Sequence, residues 1–444
     1  MSHKNKAVGS KGKKRIERVE HDVHTEPVID ESINRNIVQL KVPHRLADSD
    51  NRIDINQKDE IEELFNEVCG DFGIRYKPAI FPAVPKIIAF GDIHGDYGLA
   101  IEMLEIAKLV TYDKKTDKCT WIGGSTYVVQ VGDQIDMCRF TPDKPMDYCN
   151  RPGVTENDEA SDTKLLELFT DLDRQAGQQN GAVISLLGNH ELLNVNGDMR
   201  YVSYENIQQF DSGTNKNDGK KRRAQAFAPC NLKQLGKSDD IQGKYARLLG
   251  CTRYPAVIIG SNIFVHAGII DGLIELLERT SNKIEGPADL EKINIKVRMW
   301  LLGLIDADYV SAIINSPESK SLFWTRVLGK LDHNVPLDSD VCQSNLSKVL
   351  KIFHLKDSDG VIKMIIGHTP QSFLYSKNIN ATCGDRIWRV DNGSSKAFDS
   401  FDPNYDGVHK TKSASRETQF LKIENDNTFY VCTKKGCVLS STPV

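Results

Sequence analysis

The chain has 444 residues, with 57 Lys+Arg against 61 Asp+Glu, a formal net charge of −4 and 39% hydrophobic residues. This is the composition of an ordinary folded chain, and its near-neutral balance excludes wholesale binding to nucleic-acid phosphates, which asks for a strongly basic face. No window approaches the roughly 18 uninterrupted apolar residues of a membrane helix, and no apolar run follows the basic N-terminal residues as a secretory signal would require.

Residues 1–35 carry Lys4, Lys6, Lys11, Lys13, Lys14, Arg15 and Arg18 without apolar periodicity, so a disordered polar tail is expected. Its Lys11 to Arg18 cluster is the one local candidate for a nuclear-import or anionic-surface signal. Residues 36–84 read as a strand–helix extension. Ile37 to Val42 alternates as a strand does, and Ile61, Leu64, Phe65 and Val68 recur at helical spacing, which predicts a helix over 58–69.

From Pro85 onward, short apolar runs each stop at a small polar cluster. Lys86 to Phe90 stops at Gly91-Asp92-Ile93-His94-Gly95, and a helical pattern through Leu99, Met103, Leu104 and Ala107 follows. Tyr127 to Val131 stops at Gly132-Asp133-Gln134-Ile135-Asp136. After a helical pattern through Leu165, Leu168, Phe169 and Leu172, Ala182 to Leu187 stops at Gly188-Asn189-His190-Glu191. Ile263 to Val265 runs into His266-Ala267-Gly268, Val361 to Ile366 into Gly367-His368, and Ile387 to Val390 into Asp391-Asn392-Gly393.

Short β-branched strands with helices between several of them predict an α/β fold whose sheets are covered on both faces, and ligands in such folds gather at the carboxyl ends of strands. The catalytic core is expected over 85–400, with polar surface insertions near 138–162, 209–240 and 330–345. Residues 401–444 read as a C-terminal extension in which 419–423 and 428–432 would pair as a hairpin. The ten cysteines show no CxxC pair and no repeated spacing, which reads as reduced thiols in a cytoplasmic protein, with a nuclear location open through the basic tail.

Four of the eleven histidines, His94, His190, His266 and His368, lie just past predicted strands beside Asp, Asn or Gly. A single Asp or His there is usually a loop or capping residue. The coincidence of Asp92, His94, Asp133, Asn189, His266 and His368 outweighs that reading. Together they offer hard oxygen and imidazole donors and no thiolate, a mixture suited to Mn, Fe or Zn in a five- or six-coordinate site. Two ions roughly 3.5 to 4 Å apart would need one shared carboxylate, and Asp133 in the middle cluster is the natural bridge.

These clusters resemble the signature of the calcineurin-like metallophosphoesterases: GDxHG, GDxxD, GNH(E/D) and two later His motifs, in order. The stretch from Gly188 to Val202 is similar to that of the Shewanella-like branch of the phosphoprotein phosphatases, as are the segments around Gly243 to Leu248, His266 and Trp324-Thr325-Arg326. The resemblance implies a central β-sandwich flanked by helices with a di-metal site at strand ends. Asp92, His94 and Asp133 would hold one ion, and Asp133, Asn189, His266 and His368 the other. It further implies a metal-bridging hydroxide as nucleophile, His190 as general acid and Asp136 as the group that orients it.

The second motif departs from the family's GDxxDRG, because Met137 and Cys138 stand where Arg and Gly would, and Arg139 comes two residues late. Arg326 is therefore the preferred phosphate clamp, with Arg139 and Arg200 as further candidates and Asn189 beside them. The implied function is a protein phosphatase acting on phosphoserine and phosphothreonine with two divalent ions, Mn foremost. Its partner would be a phosphoprotein, and nothing bears on oligomeric state. The alternatives are a phosphotyrosine-preferring enzyme and a dinucleoside polyphosphate hydrolase. A silent scaffold would be expected to lose ligands, and none is missing.

Overall fold

The computed structural model describes residues 36–41, 51–73, 75–213, 218–231, 241–353, 362–375, 378–409 and 411–441. The basic tail, with its Lys11 to Arg18 cluster, lies outside the described residues, as do Val42 and Val361. No helix among the described residues is long and apolar enough to cross a membrane.

Two sheets face each other. One has seven strands in the spatial order Gly436–Ser441, Thr428–Thr433, Gln419–Glu424, Lys86–Phe90, Tyr127–Gln130, Ala182–Leu186 and Arg253–Tyr254. The other has six, ordered Asn380–Thr382, Ile387–Arg389, Lys363–Ile366, Asn262–Val265, Ala256–Ile259 and Ile80–Phe81. In the first, Lys86–Phe90, Tyr127–Gln130 and Ala182–Leu186 run parallel; in the second, Asn262–Val265, Lys363–Ile366 and Ile387–Arg389 do.

Side chains alternate across each strand, so a strand covered on both faces must be apolar throughout. Ile87, Ala89, Val129 and Ile184 point into the sandwich, where they meet Val257, Phe264, Ile365 and Trp388 of the facing sheet. Ile88, Phe90, Val128 and Val183 point outward onto helices Tyr97–Ile106 and Asp162–Gly177. Ile258, Ile263, Met364 and Ile387 cover the opposite outer face beneath helices that include Lys58–Cys69 and Pro287–Leu301. This is the helix-flanked β-sandwich that the motifs imply.

At the C-terminus, Gln419–Glu424 pairs antiparallel with Thr428–Thr433 and also with Lys86–Phe90, so these strands extend the sheet that carries Asp92. Within 209–240, helix Gly219–Phe227 buries Arg223 completely. A guanidinium can go inside there because it finds carboxylate and amide partners, described below.

The cysteines differ from expectation. Eight of the ten pair, as Cys69–Cys251, Cys138–Cys149, Cys342–Cys383 and Cys432–Cys437, while Cys119 stays a buried thiol. Spacing hid these pairs because folding joins residues as far as 182 apart in sequence, with Cα atoms 5.6 Å apart. The reading of reduced thiols is corrected, and the argument for a reducing compartment that rested on it falls away.

Candidate metal centre and active site

Each polar cluster begins where a strand of the sandwich ends, and both sheets aim theirs at one cleft. The chain turns sharply there. His94, Asp133, Asp136 and His368 adopt left-handed backbone, with φ of 47°, 52°, 71° and 65°. Non-glycine residues seldom do so, and such strain concentrates at functional sites. Glycine is needed beside them for room: a Cβ on Gly188 would strike the Asp133 carboxylate, and one on Gly367 the carboxylate of Asp92.

Asp133 is the hub. Its carbonyl accepts the backbone N–H groups of Ile93 (3.0 Å) and His94 (2.9 Å), and its Oδ1 accepts that of His190 at 3.0 Å. Its carboxylate belongs to two groups of donor atoms, one with His94 and His190 and one with His266 and His368, each lying within 4.8 Å of one another. Asp92 accepts the His368 N–H on both oxygens and lies 3.8 Å from His94 Nε2. Asn189 Oδ1 is 3.0 Å from His266 Nε2. All six expected ligands thus converge.

Two of the rings are oriented from behind. His266 Nδ1 donates to the Val131 carbonyl at 2.8 Å, and His368 Nε2 to that of Trp324 at 3.0 Å. Each ring therefore turns its other nitrogen toward the cleft, as metal-binding imidazoles do. Burial opposes ionisation of Asp133, yet the imidazoles of His266, His190 and His94 hold its carboxyl well below the usual range. Asp92 is pushed the other way, by burial and by the nearby Asp391 and Asp133 carboxylates. Crowded, buried carboxylates and imidazoles without a thiolate fit hard or borderline divalent cations, which would relieve the repulsion between Asp92 and Asp133.

His190 is placed differently. Its Nδ1 donates to Asp136 Oδ2 at 2.8 Å, which leaves Nε2 facing the cleft, 3.9 Å from Asp133 Oδ2. Asp136 is held in turn by Asn194 Nδ2 at 3.0 and 3.1 Å. Asn194 Oδ1 accepts Arg223 Nε at 2.9 Å, and Arg223 Nη2 binds Asp162 at 2.7 Å. This buried chain fixes the His190 ring. Sequence reasoning missed Asn194 and Arg223, since a charged residue in a polar stretch gives no sign of burial.

Glu191 appeared only as a motif letter, yet it ties the loops together. Its carboxylate accepts the backbone N–H groups of Gly188 (2.7 Å), Gln134 (2.8 Å) and Asp133 (3.0 Å).

The three arginines are placed unequally. Arg139 lies between the rings of Phe398 and Tyr201, at 5.0 and 5.8 Å, with Nη1 3.5 Å from His94 Nε2, Nη2 on the Asp136 carbonyl and Nε buried without a partner. Arg326 is exposed, with Nη1 on the His368 carbonyl at 2.7 Å. Arg200 is engaged with Asp198 at 2.6 to 2.9 Å and reaches no metal-site residue. Beside Arg139 opens a cavity of about 560 Å³ walled by Phe140, Phe373, Phe398 and Phe401.

No protein-family model matches the chain. An uncharacterized protein of Acanthamoeba polyphaga mimivirus is 33% identical over 279 residues, covering 60% of this chain and 98% of that one. Shewanella-like protein phosphatase 2 of Arabidopsis thaliana is 27% identical, covering 71% of this chain and 73% of its own. For Shewanella-like protein phosphatase 1 of Plasmodium berghei the figures are 24%, 74% and 73%. Among solved structures, the cold-active protein-tyrosine phosphatase of a psychrophilic Shewanella species superposes with a TM-score of 0.50 at 19% identity, covering 82% of this chain and 83% of that one, a likeness of fold. By these relatives, this sandwich and the motifs at its strand ends, the chain is similar to the Shewanella-like protein phosphatases and is a phosphatase.

Proposed function

We propose that the chain is a two-metal protein phosphatase that hydrolyses phosphoserine and phosphothreonine, with Mn as its working ion. The observation that carries this reading is the Asp133 carboxylate shared by two donor groups. Asp92, His94 and Asp133 would hold one ion, and Asp133, Asn189, His266 and His368 the other. Bound there, the ions would supply an activated water and neutralise phosphate charge at neutral pH.

The chain's own residues do the rest. Arg139 lies beside His94 and Arg326 beside His368, and the two would clamp the phosphate oxygens. His190, with Nδ1 anchored on Asp136, presents Nε2 to donate a proton to the leaving oxygen. Asp136 supports the imidazolium and fixes its tautomer.

A second reading, phosphotyrosine, is favoured by the aromatic walls beside Arg139, which would accept a flat ring as leaving group, and by the name of the Shewanella enzyme. Rates on matched phosphoserine, phosphothreonine and phosphotyrosine peptides and on diadenosine tetraphosphate, with and without Mn, separate these readings. Hydrolysis of the tetraphosphate alone would overturn both.

A further inference from the structure

The Cys138–Cys149 bond lies against the site. Cys138 is followed directly by Arg139, and the bond closes a loop whose residues 142–147 are all exposed. Such a loop has little packing of its own to hold it. What fixes it lies at its base. Cys149 is fully buried, the Cys138 N–H donates to the Tyr201 carbonyl at 3.2 Å, and Asn150 Nδ2 donates to the carbonyls of Met199 (2.9 Å) and Val202 (2.8 Å). Both ends of the loop are therefore fastened to the segment that carries Tyr201, one of the two rings flanking Arg139 and itself 4.8 Å from the His190 ring.

Arg139 has a long side chain whose placement depends on where its backbone starts. Its Nε is buried without a partner, so the guanidinium is not yet fully used. Met137, at the position where the family has its Arg, is buried and packs toward Gly95, so it offers no cation to the cleft.

We propose that the Cys138–Cys149 disulfide is a positioning element that holds Arg139 over the metal cleft, so that phosphate affinity depends on this one crosslink and not on the other three. The inference rests on the phosphatase reading. A crosslink that restricts the loop also restricts where Arg139 can begin; without it the loop base relies on non-covalent contacts, among them the Cys138 N–H, the Asn150 side chain and the Phe140–Tyr201 ring pair. The consequence falls on substrate and phosphate binding, while the metal ligands, held by strand ends, are untouched.

The test uses the full chain loaded with Mn. For C138S/C149S we expect KM for p-nitrophenyl phosphate and the inhibition constant of inorganic phosphate to rise together by about 3- to 10-fold, with kcat within about twofold and metal content unchanged. C432S/C437S, which joins neighbouring strands two and three places along the sheet from Lys86–Phe90, serves as control and should move neither. In an Arg139→Ala background, C138S/C149S should add nothing further, because the crosslink acts through that side chain. Unchanged phosphate inhibition in C138S/C149S, or losses that add to those of Arg139→Ala, would overturn the proposal. Should C138S/C149S fail to fold, Asn150→Ala loosens the same loop without touching sulfur. It is expected to weaken phosphate in the same direction, and wild-type affinity in it would likewise overturn the proposal. If the parent protein hydrolyses no phosphoester, the phosphatase reading fails instead, and calorimetric titration of phosphate into parent and variant still decides the role of the crosslink.

Discussion

Glu191→Gln changes one oxygen to an amide nitrogen at a fully buried position, and the structure sets the size of the effect. The carboxylate accepts three backbone N–H groups, two on Oε2 from Gly188 and Asp133 and one on Oε1 from Gln134. With the amide oxygen at the Oε2 position, two bonds survive without charge assistance and the Gln134 N–H faces an NH₂ group. An orphaned buried donor costs about 1–3 kcal/mol, and losing charge assistance costs about 0.5–1 kcal/mol for each surviving bond, on the order of 2–5 kcal/mol together. Burial, then the Asp133 charge, already push the Glu191 carboxyl upward, so neutralising it recovers part of this. The expected net loss is about 2–3 kcal/mol by urea unfolding. Because the same bonds hold the Asp133 and Gly188 loops, metal affinity should fall about 10- to 100-fold by calorimetry, as for other groups that orient ligands. Glu191→Gln with wild-type stability and wild-type metal affinity would refute the view that this carboxylate organises the site.

Chelation should abolish activity and Mn restore it with two ions per chain; Asp133→Asn should lose more metal than a change at any ligand serving one group, and elemental analysis giving one ion in an active sample would contradict this. His190→Asn should lose about 10²- to 10⁴-fold on phosphoserine peptide but much less on p-nitrophenyl phosphate, whose leaving group needs little protonation, with Asp136→Asn milder in the same direction. Equal losses on both substrates would assign the proton to another residue. Arg139→Ala should raise the phosphate inhibition constant more than Arg326→Ala, since its guanidinium lies against aromatic rings and next to His94 while Arg326 is exposed. The reverse order would restore Arg326 as the main clamp. Away from the site, burial works against ionising Asp402, but hydrogen bonds from the Ser413 N–H and Arg416 bring its carboxyl down to about 2. Its stabilising contribution is present above the unfolded value near 3.8 and is lost as pH falls through about 2. Asp402→Asn should cost about 1–2 kcal/mol at pH 7, and the difference should close by pH 2 in acid unfolding curves.

What could be read from the sequence was whatever repeats locally. Ile61, Leu64 and Phe65 mark one helix face, and the helix runs Lys58–Cys69. The runs ending at Asp92, Asp133, Asn189, His266 and His368 are strands because both their faces are covered, which makes them apolar throughout. Long-range pairing was hidden. Nothing about Cys69 points to Cys251, nor about Arg223 to Asp162 and Asn194, because each depends on the sandwich bringing distant loops together. The loss of the usual Arg after Asp136 was legible, whereas the position of Arg139 between Phe398 and Tyr201 depends on a residue 259 positions further along the chain.

The left-handed backbone at His94, Asp133, Asp136 and His368 bears on how the site can be dissected. An alanine placed at any of the four must still take a conformation that disfavours a Cβ, by roughly 1–2 kcal/mol in regular left-handed helix. Alanine scanning would there mix a conformational penalty with the loss of the functional group, and the two would be inseparable in a single rate. Asparagine tolerates this region several-fold better than most residues and nearly matches aspartate in shape. Asp133→Asn, Asp136→Asn, His94→Asn and His368→Asn are therefore the substitutions in which a measured loss reports on chemistry, while the corresponding glycines, free of the Cβ, measure how much of that loss belongs to the turn itself.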